Sequence, residues 1–149
     1  MREFEIYTDG SCRTIGNMGS GWAYLVLERR KEVFKDSGKG LVENTNNQME
    51  ITAVIRALER IQSAAVQNVR VKIYSDSAYV VNCFKDNWIG SWKIKGWINS
   101  KKQPVANKEL WLQLDVLAQK YKAIFQHVKG GSNSYNRIVD RLAKKESKI

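Results

Sequence analysis

The chain has 149 residues, 43% hydrophobic and 27% charged, the balance of one globular domain large enough for a core. Its 25 Lys and Arg against 15 Asp and Glu leave a net charge of +10, which favours a polyanionic partner, nucleic acid ahead of an anionic membrane. No apolar run is long enough to span a bilayer, and the charged start Met1-Arg2-Glu3 lacks leader character. A cytoplasmic, membrane-free chain is expected, with buried reduced thiols at Cys12 and Cys83; these two and His127 alone cannot complete a zinc site.

The predicted elements begin with an alternating strand, Phe4 and Ile6 against Glu3 and Glu5, that ends at Asp9 and turns on Gly10. Gly21 to Leu27 and Glu32 to Lys35 read as two more strands around a charged turn at Arg29-Arg30, which together suggest an antiparallel meander. Ile51, Val54, Ile55 and Leu58 then recur with helical period, giving a helix to about Ala64 that Thr45 or Asn46 caps. Val69 to Tyr74 is a fourth strand, and Ser77 caps a short helix to about Lys85. Asn87 to Ala106 reads as irregular and holds the only proline, Pro104. Leu110, Leu114 and Leu117 mark another helix, Ala123 to Val128 a fifth strand, Gly130 to Ser134 a loop, and Tyr135 to about Lys145 a closing helix. The sum is an α/β fold: a five-stranded mixed sheet, three strands antiparallel and two parallel, flanked by helices in a single domain over 1–149.

Three acids stand at element ends in this scheme, Asp9, Glu50 and Asp76, and a fourth, Asp140, lies near the chain end. Gathered in one place, they form an oxygen cage for hard divalent cations. Two such ions roughly 3.5–4 Å apart are a phosphoryl-transfer site, one activating water and the other stabilising the leaving oxygen. Like charges about 4 Å apart repel by about 4 kcal/mol at an effective dielectric near 20, so metal or raised pKa values must relieve the crowding. A lone surface acid is usually solvated and inert; it is the set of four, in order, that carries the reading.

The motifs Thr8-Asp9-Gly10-Ser11-Cys12, Thr45-Asn46-Asn47-Gln48-Met49-Glu50, Ser75-Asp76-Ser77 and Val128-Lys129-Gly130 followed by Asn136 and Asp140 resemble those of type 1 ribonucleases H over nearly the whole length. That resemblance implies a ribonuclease H-like fold and an endonuclease that cleaves the RNA strand of RNA–DNA hybrids, leaving 3′-hydroxyl and 5′-phosphate ends. It implies two Mg2+ ions, with Mn2+ as a substitute: Asp9 bridges both, Glu50 and Asp76 complete one site, and Asp140 supports the other. It also implies that backbone groups from Ser11 through Cys12 to Arg13 read the 2′-hydroxyl, that Asn17, Asn46 and Asn47 contact the substrate backbone, and that Thr45 and Asn107 contact the DNA strand. Thr45 and Asn107 read equally as helix caps. The family's usual loop histidine is absent between Gly131 and Ser134, and His127 falls in the fifth strand, so an active enzyme of reduced turnover is expected.

Between Lys85 and Lys108 six lysines face one acid, half of the chain's net charge. Lys93, Lys95, Lys101 and Lys102 can neutralise phosphates, and Trp88 and Trp97 can pack on sugars or bases. The segment resembles the basic protrusion of some type 1 enzymes. Trp88 and Trp92, four residues apart, read more readily as a local core that stiffens it. A monomer acting on RNA–DNA hybrid is the expectation; a non-catalytic hybrid-binding module, or a strand-transfer or junction nuclease of the same fold, is the alternative.

Overall fold

The computed structural model describes residues 1–13 and 19–148. Its centre is a five-stranded sheet built from β1 (Arg2–Cys12), β2 (Ser20–Glu28), β3 (Lys31–Lys39), β4 (Val69–Ser75) and β5 (Ile124–His127), in the order β3-β2-β1-β4-β5. β1, β2 and β3 pair antiparallel, while β4 lies parallel to β1 and β5 parallel to β4. Parallel neighbours require crossovers, and the helices supply them. These are α1 (Asn46–Ser63), α2 (Ala78–Lys85), α3 (Trp88–Lys95), α4 (Lys108–Lys120) and α5 (Ser134–Glu146).

Alternation along the strands sends side chains to two layers. Phe4 and Ile6 of β1, with Val71 and Ile73 of β4, meet Val54, Leu58 and Ile61 of α1 and Trp111 and Leu114 of α4 in the larger core. Tyr7, Leu25 and Leu27 meet Val139 and Ala143 of α5 on the opposite face. There Tyr7 stacks on Tyr74 with ring centroids 4.7 Å apart, and Tyr135 lies 5.2 Å away. Lys39 Nζ closes the far end of α5, donating to the carbonyls of Glu146 and Lys148 at 2.8 and 2.7 Å.

Local chemistry explains most element ends. Thr45 accepts from the Gln48 amide while Gln48 reaches back to the Thr45 amide, a reciprocal cap that fixes where α1 begins. Arg29 and Arg30, both with positive φ, make the two-residue turn whose twist suits a hairpin. Two expectations are corrected. β1 does not end at Asp9: it continues to Cys12 because β2 goes on pairing with it, Gly10 opposite Trp22 and Cys12 opposite Ser20. The segment 87–106 is not irregular throughout. α3 occupies its first third, capped by Asn87, whose side chain accepts from the Gly90 amide, and stopped by Gly96 at φ +73°.

Gly10 sets the contact between β1 and α1. A Cβ there would lie 2.5 Å from the Glu50 amide nitrogen and 2.5 Å from the Met49 carbonyl carbon, backbone atoms that cannot step aside. Gly10→Ala is therefore expected to destabilise the fold by about 2 kcal/mol or more, as overpacking does. Urea denaturation followed by circular dichroism measures it; an unchanged midpoint contradicts the close approach.

Candidate active site

The β1–β4 ladder ends at the pair Thr8 and Ser75, and Asp9 and Asp76 each come one residue later. Adjacent strands lie about 4.8 Å apart, so register alone makes these two acids neighbours. Glu50 comes to them on α1, whose early turns press on Gly10. The Gly10 amide donates to Asp9 Oδ1 at 2.9 Å and also to the Glu50 carboxylate. Ser75 Oγ accepts from the Ser77 amide at 3.0 Å and Ser77 Oγ from the Val80 amide at 3.2 Å, so the turn carrying Asp76 is tied to both β4 and α2. One ligand oxygen from each of Asp9, Glu50 and Asp76 lies within 4.8 Å of the others.

Three carboxylates at that spacing fit a hard divalent cation. They also crowd one another. Asp9 and Glu50 are buried and Asp76 is half-buried. Burial pushes the Asp9 carboxyl up to about 7, helped by the charges of Asp76 and Asp140. Burial and then the Asp9 charge hold Glu50 well above the usual carboxylate range, and Asp76 is raised by burial and by the charge of Asp140. Each of these carboxyls therefore keeps its proton to a higher pH than it would in water.

Asp140 joins from α5 but stands outside the trio. It lines one cavity with them, of about 450 Å3, and its charge helps to raise the Asp9 carboxyl. Its Oδ2 meets Lys144 Nζ at 3.1 Å, one helical turn on. The start of α5 is pinned by Asn133, which caps the Asn136 amide at 2.8 Å, and by Asn136, whose side-chain oxygen accepts from the Gly131 amide. Lys144 was not singled out from the sequence, although the four-residue spacing to Asp140 was its visible signal.

Ser11, Cys12, Asn46 and Asn47 line this cavity too. Cys12 is half-buried rather than buried, its thiol donating to the Asn44 carbonyl at 3.0 Å; Cys83 is buried, and burial pushes its thiol up to about 12. The Arg13 amide donates to the Gly19 carbonyl at 2.8 Å and its guanidinium to Ser147 Oγ at 3.3 Å. Asn17 lies outside the described residues. Thr45 is the cap of α1. Asn107 occupies the cap position of α4 without a side-chain capping bond. Its amide instead accepts from Gln48 Nε2 at 3.2 Å and donates to Tyr79 OH at 3.3 Å. His127 ends β5 in an exposed position, with Nε2 3.2 Å from the Asp76 carbonyl oxygen.

The basic handle is tied to the start of α1 through the Gln48–Asn107 bond. Trp88, Trp92 and Trp97 are half-buried and packed in series, Trp88 to Trp92 at 6.0 Å, Trp92 to Trp97 at 5.6 Å and Trp92 to buried Trp111 at 6.1 Å. Of the two readings of Trp88, the local core is the one this packing matches, and Trp97 is engaged in the same way. Lys93 pairs with Asp115 at 3.2 Å. Among the described residues, exposed Lys95, Lys101 and Lys102 make no ion pair. Asn99 Oδ1 accepts from the Lys101 and Gln103 amides, which shapes the tip that presents Lys101 and Lys102. A larger concavity, about 990 Å3, opens at the other end of β1, but there Arg2 pairs with Glu28 and Arg70 with Glu3.

Comparison with known proteins agrees with this geometry. The family model described as RNase H matches residues 1–148. A protein of Clostridium botulinum (strain Hall) named Ribonuclease H is 40% identical over 144 residues, 96% of this chain and 94% of its own length. LC9-RNase H1, described as a type 1 RNase H with the type 2 active-site motif, superposes with a TM-score of 0.85 at 23% identity, covering 99% of this chain and 72% of its own. LC11-RNase H1, solved in complex with RNA/DNA hybrid, gives 0.73 at 21% identity over 97% of this chain and 96% of its own.

Because the Asp9 carboxyl rises from its ordinary 3.8 to about 7, the folded chain holds a proton across that window which the unfolded chain has released. Stability in EDTA must therefore fall as pH rises through the window. Melting curves in EDTA are expected to give a Tm several degrees lower at about pH 8 than at about pH 5. Asp9→Asn should flatten that dependence and raise Tm at the alkaline end; a lower Tm for the variant there contradicts a crowded acidic site.

Proposed function

This chain belongs to the RNase H family, and on that premise we propose that it is an endonuclease hydrolysing the RNA strand of RNA–DNA hybrids, with Asp9, Glu50, Asp76 and Asp140 as its metal-binding acids. The observation that carries the reading is the convergence of Asp9, Glu50 and Asp76 within 4.8 Å in a chain whose net charge is +10. A module that only bound nucleic acid would gain nothing from a buried acidic cluster facing phosphates. The hybrid held by LC11-RNase H1 supports the choice of substrate.

Divalent ions held by these acids, Mg2+ with Mn2+ as the substitute, would supply a nucleophilic water and charge neutralisation at the phosphodiester. The chain's own residues do the rest. Asp9, Glu50 and Asp76 would hold a first ion, with Asp140 completing the place for a second. Ser11 and Cys12, at the rim of the cavity, offer backbone groups to the 2′-hydroxyl that separates RNA from DNA, and Asn46 and Asn47 offer amides to the substrate backbone. Lys95, Lys101 and Lys102 neutralise phosphates of the DNA strand, while Trp88 and Trp97 brace the handle that carries them. The chain works as one domain and as a monomer in the cytoplasm; no helix of the described residues is long and apolar enough to cross a membrane.

Labelled RNA–DNA hybrid, double-stranded RNA and double-stranded DNA, each with Mg2+, Mn2+ or EDTA, test this on one gel. Cleavage of hybrid RNA alone, abolished by EDTA, is expected; persistence in EDTA, or tight binding without cleavage, overturns the reading. Asp9→Asn, Glu50→Gln and Asp76→Asn should each lower the rate on the order of 10²-fold or more, as loss of transition-state charge stabilisation does.

Among the described residues, the His127 ring bonds only the backbone carbonyl of Asp76. His127→Ala is therefore expected to keep cleavage within about tenfold of the parent, below the range of a lost general acid or base. Abolished cleavage in a folded variant would assign His127 to the chemistry.

A further inference from the structure

Among the ionisable side chains lining the acidic cavity, Lys144 is the one cation within the described residues; Asp9, Glu50, Asp76 and Asp140 make up its acids. Its Nζ lies 3.1 Å from Asp140 Oδ2, and 63% of its side chain is exposed, so no packing holds it in that pose. An Asp–Lys pair at i,i+4 is in itself an ordinary helix-surface feature. This pair differs in its place. Asp140 is the member of the four acids outside the close trio, and the oxygen that Lys144 occupies belongs to the carboxylate that acts on Asp9. A fixed ammonium there lowers the affinity of the cavity for any divalent cation.

We infer that Lys144 is a movable counter-charge, holding the Asp140 carboxylate until a divalent cation takes it and then swinging away on its flexible stem. Lys144 thereby sets cation affinity at the Asp140 side of the cavity. The inference rests on the metal-binding reading of the four acids and adds a competitor to it.

Calorimetric titration of Mn2+ alone into the EDTA-stripped, dialysed full chain at low ionic strength tests the competition without reference to turnover. Lys144→Met, which keeps helix propensity, should tighten Mn2+ binding by about two- to fivefold, the range set by one exposed ion pair. Lys144→Arg should bind as the parent does, and Lys145→Met, one residue on, should leave affinity unchanged despite the same loss of charge. In an Asp140→Asn background the gain from Lys144→Met should disappear. Unchanged or weaker binding by Lys144→Met overturns the inference, as does equal tightening with Asp140→Asn or by Lys145→Met. No Mn2+ binding by the folded parent overturns the metal reading itself, and the inference with it.

Discussion

The contact of β1 with the early turns of α1 at Gly10 is the constraint from which the site follows. Two backbones touch there because a side chain is missing, and the same amide then serves the carboxylates of both Asp9 and Glu50. Closer packing of apolar surfaces brings acids together that would otherwise stay apart. The hydrophobic layer beneath, from Ile6 and Ile51 to Val54 and Ile73, does not depend on pH or metal, so it can hold a charge arrangement that is unfavourable alone. The raised Asp9 and Glu50 carboxyls record how far the packing overrides electrostatics.

Topology explains why the acids meet at this end of the sheet. In a parallel pair, both strands finish on the same side and each crossover helix starts there. β1 and β4 end their ladder at Thr8 and Ser75, and α1 and α2 begin close by, capped by Thr45 and Ser77. The carboxyl ends of parallel strands are the general location of ligand sites in open α/β sheets. The positive ends of helix dipoles also favour anionic side chains beside them. The opposite end of β1 has the larger concavity, yet there Arg2 pairs with Glu28 and Arg70 with Glu3, opposite charges in place of a crowded set of acids.

Much of this was legible in the sequence because it rests on local rules. Alternation and turn residues located the five strands, helical period and capping residues located α1, α2, α4 and α5, and the acids at element ends marked the site. What was not legible depended on neighbours distant along the chain. The extension of β1 through Gly10 to Cys12 comes from pairing with β2, which overrides the local signal of a glycine. α3 is short, with Gly90 inside it and lysines on its outer side, and its tryptophans find their burial against Trp111 of α4 rather than through a periodic face. Arg13 and Asn107 have side chains suited to nucleic acid but are tied to Ser147, Gln48 and Tyr79, partners that no spacing indicates.

Those ties bear on how substrate reaches the acids. Gln48, two residues before Glu50, holds Asn107, and Asn107 holds Tyr79, whose ring lies 5.2 Å from Trp111 under the handle. Handle and acids therefore share one polar and aromatic joint, and the distance between them is set by the fold rather than by a flexible linker. The two regions oppose each other electrically. Lysines at the tip attract a polyanion over a Debye length of about 10 Å, while the cluster repels its phosphates at short range. A polyanion is thus drawn to one region of the surface and repelled from the other. Protons on the raised Asp9 and Glu50 carboxyls, the Lys144 ammonium or a divalent cation can each lessen that repulsion. Within one small basic domain, attraction at the handle and repulsion at the acids are thus separated in space by the packing itself.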